Sequence, residues 1–266
     1  MSVTLITRAD DFGSSRSANL AILNAAGKGD YVKNVSCMAP APMMADGAEM
    51  LAACRRLCIG MHLTLSAEWR LIKWPPILPV QQVPALVTAD GAFPEDPAVF
   101  AQTVPPLEQV LAEMDAQLDY LTRLGLDIRY VDSHMLPEKF IPGLMEEMPR
   151  WAERKGLICH LGYYRFPETR MEPGPCQTAQ EGLQALAAWL DDLVDGQYFS
   201  VMHPAVGGRE MMLCCNDAVP MGLVSTARNT EYEMLLSRKP EEMCRERGIR
   251  CLRYDEAAPV EHPQLF

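Results

Sequence analysis

The sequence predicts an α/β protein in which a parallel sheet is wrapped by helices in one domain. Three observations lead there. Short apolar runs alternate with longer amphipathic ones along most of the 266 residues, the sign of repeated strand-helix units, and helical crossovers connect parallel strands. The length suits one large domain, since α/β barrels commonly use about 200 to 250 residues or more. No strand carries G-x-G-x-x-G or a P-loop, which removes the nucleotide-binding versions of the architecture.

Taken in order, "VTLIT" reads as the first strand and residues 15–27 as its helix, with Gly27 or Gly29 ending it. "VKNVSCMA" is the second strand, and residues 42–56 form a helix with Pro42 near its start. "CIGMHLTL" is the third strand. From Glu68 to Pro106 the pattern stops: prolines at 75, 76, 79, 84, 94, 97, 105 and 106 make a long irregular segment. Loops of that length are usually functional or disordered, and this one reads as a loop insertion folded over a site.

Regularity returns with Leu107, Val110, Leu111, Met114, Leu118 and Leu121 at helical spacing. The strand "IRYVDSH" follows, then a helix over 141–156, the strand "LICHLGY", a helix over 178–195 and the strand "YFSVMH". A helical region over 230–248, broken near Pro240, and the strand "IRCLRY" complete six or seven units.

Twenty-four basic residues against 35 acidic ones give a net charge of -11, so the electrostatic footprint of a nucleic-acid or anionic-membrane partner is missing. A neutral or cationic substrate fits better. The amino-terminal stretch lacks a basic segment followed by an apolar one, and no apolar run reaches about 18 residues, so a cytoplasmic location is expected. Nine cysteines without a C-x-x-C pair read as small buried thiols rather than a zinc or redox motif.

The chemistry-bearing residues fall at the carboxyl ends of the predicted strands. Asp10 and Asp11 end the first, His62 lies in the third, Asp132 and His134 end the fourth, and His203 ends a later one. In parallel α/β folds these ends gather at one face, where active sites lie. Two adjacent carboxylates that converge need a cation between them or a shared proton. One carboxylate with two imidazoles makes a divalent-metal set, and a second aspartate beside it can serve as general base. Against this, Asp11 could simply cap the following helix, and His62 could be a hydrogen-bonded core histidine. His160 reads as structural and His262 as solvated.

With these residues in view, the chain resembles the YdjC-like carbohydrate deacetylases, which include chitooligosaccharide (chitin disaccharide) deacetylase. The likeness rests on "ADDFG" at 9–13, "NLAILNA" at 19–25, "GMHLTL" at 60–65, "VDSH" at 131–134, "MHP" at 202–204 and "ARNTEYEMLLS" at 227–237, in family order. The resemblance implies a distorted TIM-like (β/α) barrel with one divalent metal ion, Mg2+ or Zn2+, held by Asp11, His62 and His134. It implies removal of an N-acetyl group from a small acetylated sugar, with Asp10 as base and His203 as general acid or oxyanion donor. Arg8, Asp132 and Arg228 are the expected substrate-binding or supporting residues, and a homodimer is the expected assembly.

Two departures from the family pattern stand out. Its Asp-Ser-His-x-His run is Asp132-Ser133-His134-Met135-Leu136 here, so Leu136 replaces a polar group. Arg8 stands where a small or amide residue is common, and could pair with Asp10 or Asp132 or bind an acidic group on a different sugar. Two competing functions remain in view at this level: a metal-dependent phosphoesterase, and a non-catalytic sugar-binding member of the same fold.

Overall fold

The computed structural model describes residues 3–163 and 176–260. His262 lies outside the described residues. Seven strands form one parallel sheet: β1 (Val3–Phe12), β2 (Asn34–Cys37), β3 (Cys58–Leu63), β4 (Ile128–Ser133), β5 (Ile158–Cys159), β6 (Gly196–Met202) and β7 (Arg250–Leu252). Their order is β5-β4-β3-β2-β1-β6, and β7 pairs with β1. Because β6 takes one edge of β1 over its whole length, β2 and β7 divide the other edge, β7 beside Thr4–Ile6 and β2 beside Arg8–Phe12. Asn34 seals that junction, donating to the Thr7 and Leu252 carbonyls at 2.8 and 3.0 Å and accepting from the Tyr254 N–H at 2.9 Å.

Eight α-helices accompany the sheet among the described residues: α1 (Arg16–Lys28), α2 (Met44–Ala52), α3 (Leu107–Arg123), α4 (Leu144–Lys155), α5 (Ala179–Asp192), α6 (Arg209–Met212), α7 (Leu223–Leu236) and α8 (Lys239–Glu246). The result is a curled, distorted barrel. Gly29 ends α1, and its N–H reaches the Ala25 carbonyl at 3.1 Å. Thr178 and Glu181 form a capping box at the start of α5. No helix of the described residues is long and apolar enough to cross a membrane.

Local differences from the sequence reading have physical causes. The expected strand at 157–163 pairs only over Ile158–Cys159, because the chain tightens into a 3-10 turn at His160–Gly162. The helical region before the last strand begins earlier, at Leu223 after Gly222 with φ +91°, and breaks at Arg238, whose φ is +61°. None of the nine cysteines is in a disulfide, and four of them are buried.

The proline-rich segment has little regular structure, two 3-10 turns at Pro84–Leu86 and Pro97–Ala101, yet it is packed. Trp69, Trp74, Val83, Leu86, Phe93 and Phe100 are all buried in the main core. Two side chains of α3 hold it. Glu113, fully buried, accepts from the Ile77 and Leu78 N–H groups at 2.8 and 3.0 Å, and Gln109 accepts from the Ala85 N–H at 3.1 Å. Gln117 bonds both the N–H and the carbonyl of Thr64, just before the segment.

Candidate active site

On a regular strand, neighbouring side chains point to opposite faces, so Asp10 and Asp11 should diverge. β1 breaks the rule. From Ala9 to Phe12 three residues advance against two in β2, from Val35 to Cys37, and Asp11 takes a left-handed φ of +66°. That bulge re-aims the second carboxylate. Both now reach one imidazole: His62 Nε2 lies 3.9 Å from Asp10 Oδ2 and 3.6 Å from Asp11 Oδ1. Asp11 does not cap α1, because Ser15 does so, its Oγ accepting from the Ala18 N–H at 2.9 Å.

Around Asp11 the residues converge further. Its Oδ1 lies 3.3 Å from His134 Nδ1, and its Oδ2 is paired with Arg228 Nη1 at 2.7 Å. Oδ1 is buried and makes no hydrogen bond. A bare carboxylate oxygen between two imidazole nitrogens is costly by itself and suits a cation. Asp11, His62 and His134 each present a ligand atom, all within 4.8 Å of one another. Burial pushes the Asp11 carboxyl up, but Arg228 and His134 outweigh it and hold the group well below the usual carboxylate range. The anionic form is thus the resting form, as metal binding requires.

Asp10, His62 and Asp132 also converge within 4.8 Å, but here a side-chain cation already serves them. Arg8 grips Asp10 through Nε and Nη2, the latter at 2.6 Å from Oδ2, and pairs with Asp132 through Nη1. Its guanidinium carbon sits 4.5 Å from the Phe199 ring centre. The sequence left Asp10 and Asp132 as alternative partners; the structure gives Arg8 both. Only 5% exposed, Arg8 is spent on these pairs and is not presented to a sugar carboxylate.

Asp132 is shared. Its Oδ1 meets His62 Nδ1 at 2.8 Å, while its Oδ2 receives Arg8 and the Ser36 hydroxyl, the latter at 2.7 Å. Burial works against the anion, yet Arg8 and His62 lower the Asp132 carboxyl below its ordinary value. For His62, burial disfavours the charged ring, but Asp132 and Asp10 dominate and raise it to about 9. Asp132 therefore fixes the ring so that Nε2 faces Asp11. Gly60, two residues earlier, is needed because any Cβ there would come within 2.3 Å of the Tyr130 ring, whose hydroxyl bonds Ser36 at 2.8 Å.

Arg228 and His203 arrive from the other side. Arg228, on α7, lies 5.9 Å from the Trp69 ring centre and 3.8 Å from Glu68 Oε2. His203, just past β6, is half-buried and shares with Glu68 and Arg228 the wall of a cavity of about 340 Å³. Its backbone N–H donates to Glu231.

The sequence reading missed Glu68, which opens the irregular segment where no periodicity marks it. Its φ is +60°, and its Oε2 lies 3.6 Å from His134 Nε2, so a carboxylate stands near this ring nitrogen without hydrogen-bonding it, whereas Asp132 bonds His62 at 2.8 Å. His160 also has a partner that the sequence did not reveal: Nε2 lies 3.4 Å from Glu138 Oε1, which accepts from Ser133 at 2.8 Å. Met135 and Leu136 both adopt left-handed backbone, at +56° and +54°, turning the chain into Pro137–Lys139.

Fold and site together define an α/β protein with a carboxylate and imidazole cluster, of metal-ligand character, at the carboxyl edge of a parallel sheet. The chain belongs to the YdjC-like protein family, which it matches over residues 4–246. It is 34% identical over 131 residues to a carbohydrate deacetylase of Enterococcus faecalis, covering 49% of this chain and 47% of that one. With a chitooligosaccharide deacetylase of Enterobacter sp. it shares 25% identity over 158 residues, 59% of this chain and 58% of the relative. The match thus spans about half the length of these curated relatives. A crystal structure from Enterococcus faecalis V583, described as a proposed cellobiose-phosphate cleavage protein, superimposes with a TM-score of 0.68 at 24% identity, over 97% of this chain and 100% of that one. A mutant CE4-family pseudoenzyme of Bacillus anthracis superimposes with a TM-score of 0.51 at 10% identity, over 96% of this chain and 66% of its own. Both likenesses establish the fold.

Proposed function

We propose that this chain is a divalent-metal-dependent hydrolase that removes the N-acetyl group from a small acetylated amino sugar, of chitooligosaccharide type, and releases acetate. The observation that carries the reading is Asp11 Oδ1, buried, unbonded and set between His62 Nε2 and His134 Nδ1. Asp11, His62 and His134 would hold Mg2+ or Zn2+; mixed oxygen and nitrogen donors suit either. A cation bound there supplies Lewis acidity toward the acetyl carbonyl.

The remaining steps belong to side chains. Asp10, held by Arg8, accepts a proton from the attacking water through the carboxylate edge that faces His62. His203, on the cavity wall, donates to the departing amine nitrogen, so the bond between carbonyl carbon and nitrogen breaks to give acetate and the free amine. Arg228 neutralises the Asp11 oxygen turned away from the cluster, and Asp132 keeps the His62 ring in place. Support for the sugar comes from the family and from relatives bearing the deacetylase name over half their length. We propose on the resemblance alone that the protein is a cytoplasmic homodimer; light scattering giving the monomer mass would remove the dimer.

The test is acetate release from N-acetylglucosamine, chitobiose and related sugars by metal-stripped protein with magnesium, zinc, manganese or cobalt restored. Metal-dependent release is expected, with Asp10→Asn lowering kcat by about 10²- to 10⁴-fold. Absence of release from every sugar in the presence of bound metal would overturn the reading, and full turnover by Asp10→Asn would remove Asp10 as the base.

A further inference from the structure

The cavity beside the cluster is lined by two unlike kinds of side chain. One kind belongs to the site: Glu68, His203 and Arg228, whose guanidinium bonds Asp11 directly. The rest of the lining is mostly apolar, with Trp69, Leu186, Trp189, Val224, Met234 and Leu235 from the irregular segment and from α5 and α7, beside the Thr230 hydroxyl and the Glu231 carboxylate, which already accepts the His203 N–H. Tyr31 and the β6 residue Ser200 also line it, their hydroxyls bonded to each other at 3.2 Å. A hexose ring carries hydroxyls around its whole rim, and each that is desolvated against an apolar side chain without a partner weakens binding. An apolar group suffers no such cost there, and each buried methylene strengthens binding about fourfold.

We propose that the substrate carries an apolar group next to the scissile amide and that this cavity receives it. The inference rests on the deacetylase reading and narrows it from acetylated sugars in general to amphipathic N-acylated amino sugars. The apolar group can sit on the acyl side, as a chain longer than acetyl, or on the sugar side, as an apolar substituent of the leaving amine. The chemistry of the wall is the same for both. Met202 and Met234 supply flexible side chains that conform to either.

The experiment compares kcat/KM for N-acetylglucosamine, N-hexanoylglucosamine and 4-nitrophenyl N-acetyl-β-glucosaminide with the metal-loaded protein. At least one extended substrate is expected to exceed N-acetylglucosamine by about tenfold or more, as two buried methylenes alone would give. In Ala227→Phe and Leu186→Phe, which fill the cavity from α7 and α5, that ratio is expected to fall toward one. Turnover of N-acetylglucosamine at a kcat/KM equal to or above both extended substrates would overturn the inference and leave the deacetylase reading standing. If no sugar is hydrolysed, that reading fails, and calorimetric binding of the 4-nitrophenyl glycoside decides the cavity separately. Binding to the parent protein but not to the filled variants supports an apolar subsite, and no binding overturns it.

Discussion

At the scale of single residues, the site is a set of charges that fix one another. His62 carries the clearest pH consequence. Its ring is raised from 6.5 to about 9 by Asp132 and Asp10 against the effect of burial. A raised folded-state value means that protonation stabilises the fold, fully below pH 6.5 and progressively less as pH climbs through 9. Metal-free protein should therefore lose thermal stability between these limits, while metal affinity rises over the same interval because the ligand must shed its proton. An unfolding midpoint that is flat across this range would contradict the coupling. Glu68 gives a second prediction. If it backs His134 as Asp132 backs His62, Glu68→Gln should weaken metal binding by about tenfold, measured by calorimetry. Unchanged affinity would leave Glu68 facing the cavity alone.

At the scale of elements, the irregular segment depends on α3. Glu113 accepts two backbone N–H groups from it within a fully buried setting. Glu113→Ala leaves both donors bare and should cost about 2–3 kcal/mol in urea unfolding. The same change should accelerate amide exchange around Ile77 and Leu78, and an unaltered exchange pattern would show that the buried tryptophans and phenylalanines hold the segment by themselves. The sequence announced the strands and most helices here because apolar period two and period 3.6 are visible in residue order. It also placed the polar residues at strand ends correctly, since alternation of strand and helix fixes which end is which. What it could not announce was the bulge at Asp11, which is a backbone angle rather than a residue type, or Glu68, which sits in a stretch without period. The pairing of Arg8 was half legible, because the sequence offered Asp10 and Asp132 as alternatives while only the fold shows the guanidinium reaching both.

At the scale of the whole molecule, residues from position 8 to position 228 are brought to one edge of a parallel sheet. Metal binding there should act as a fold-wide clamp. At a free metal concentration of 100 Kd, stability should rise by about 2.7 kcal/mol, read as a higher Tm that chelator reverses. A Tm indifferent to magnesium, zinc, manganese and cobalt would show that the cluster holds none of them. The net charge of -11 fits a neutral acetylated sugar better than a phosphorylated one. Both the family membership and the superposition on a solved structure agree with the architecture that strand-helix alternation suggested.

The sharing of Asp132 has an evolutionary corollary. One of its oxygens serves His62 and the other serves Arg8, which in turn holds Asp10. These four side chains cannot be exchanged one at a time without stranding a buried charge. Descendants that acquire the arginine inherit a constraint on the histidine, and lineages lacking it must satisfy the two aspartates by some other donor. Substitutions at Arg8 and His62 should accordingly be epistatic, so that the ancestry of this site is a history of joint replacements.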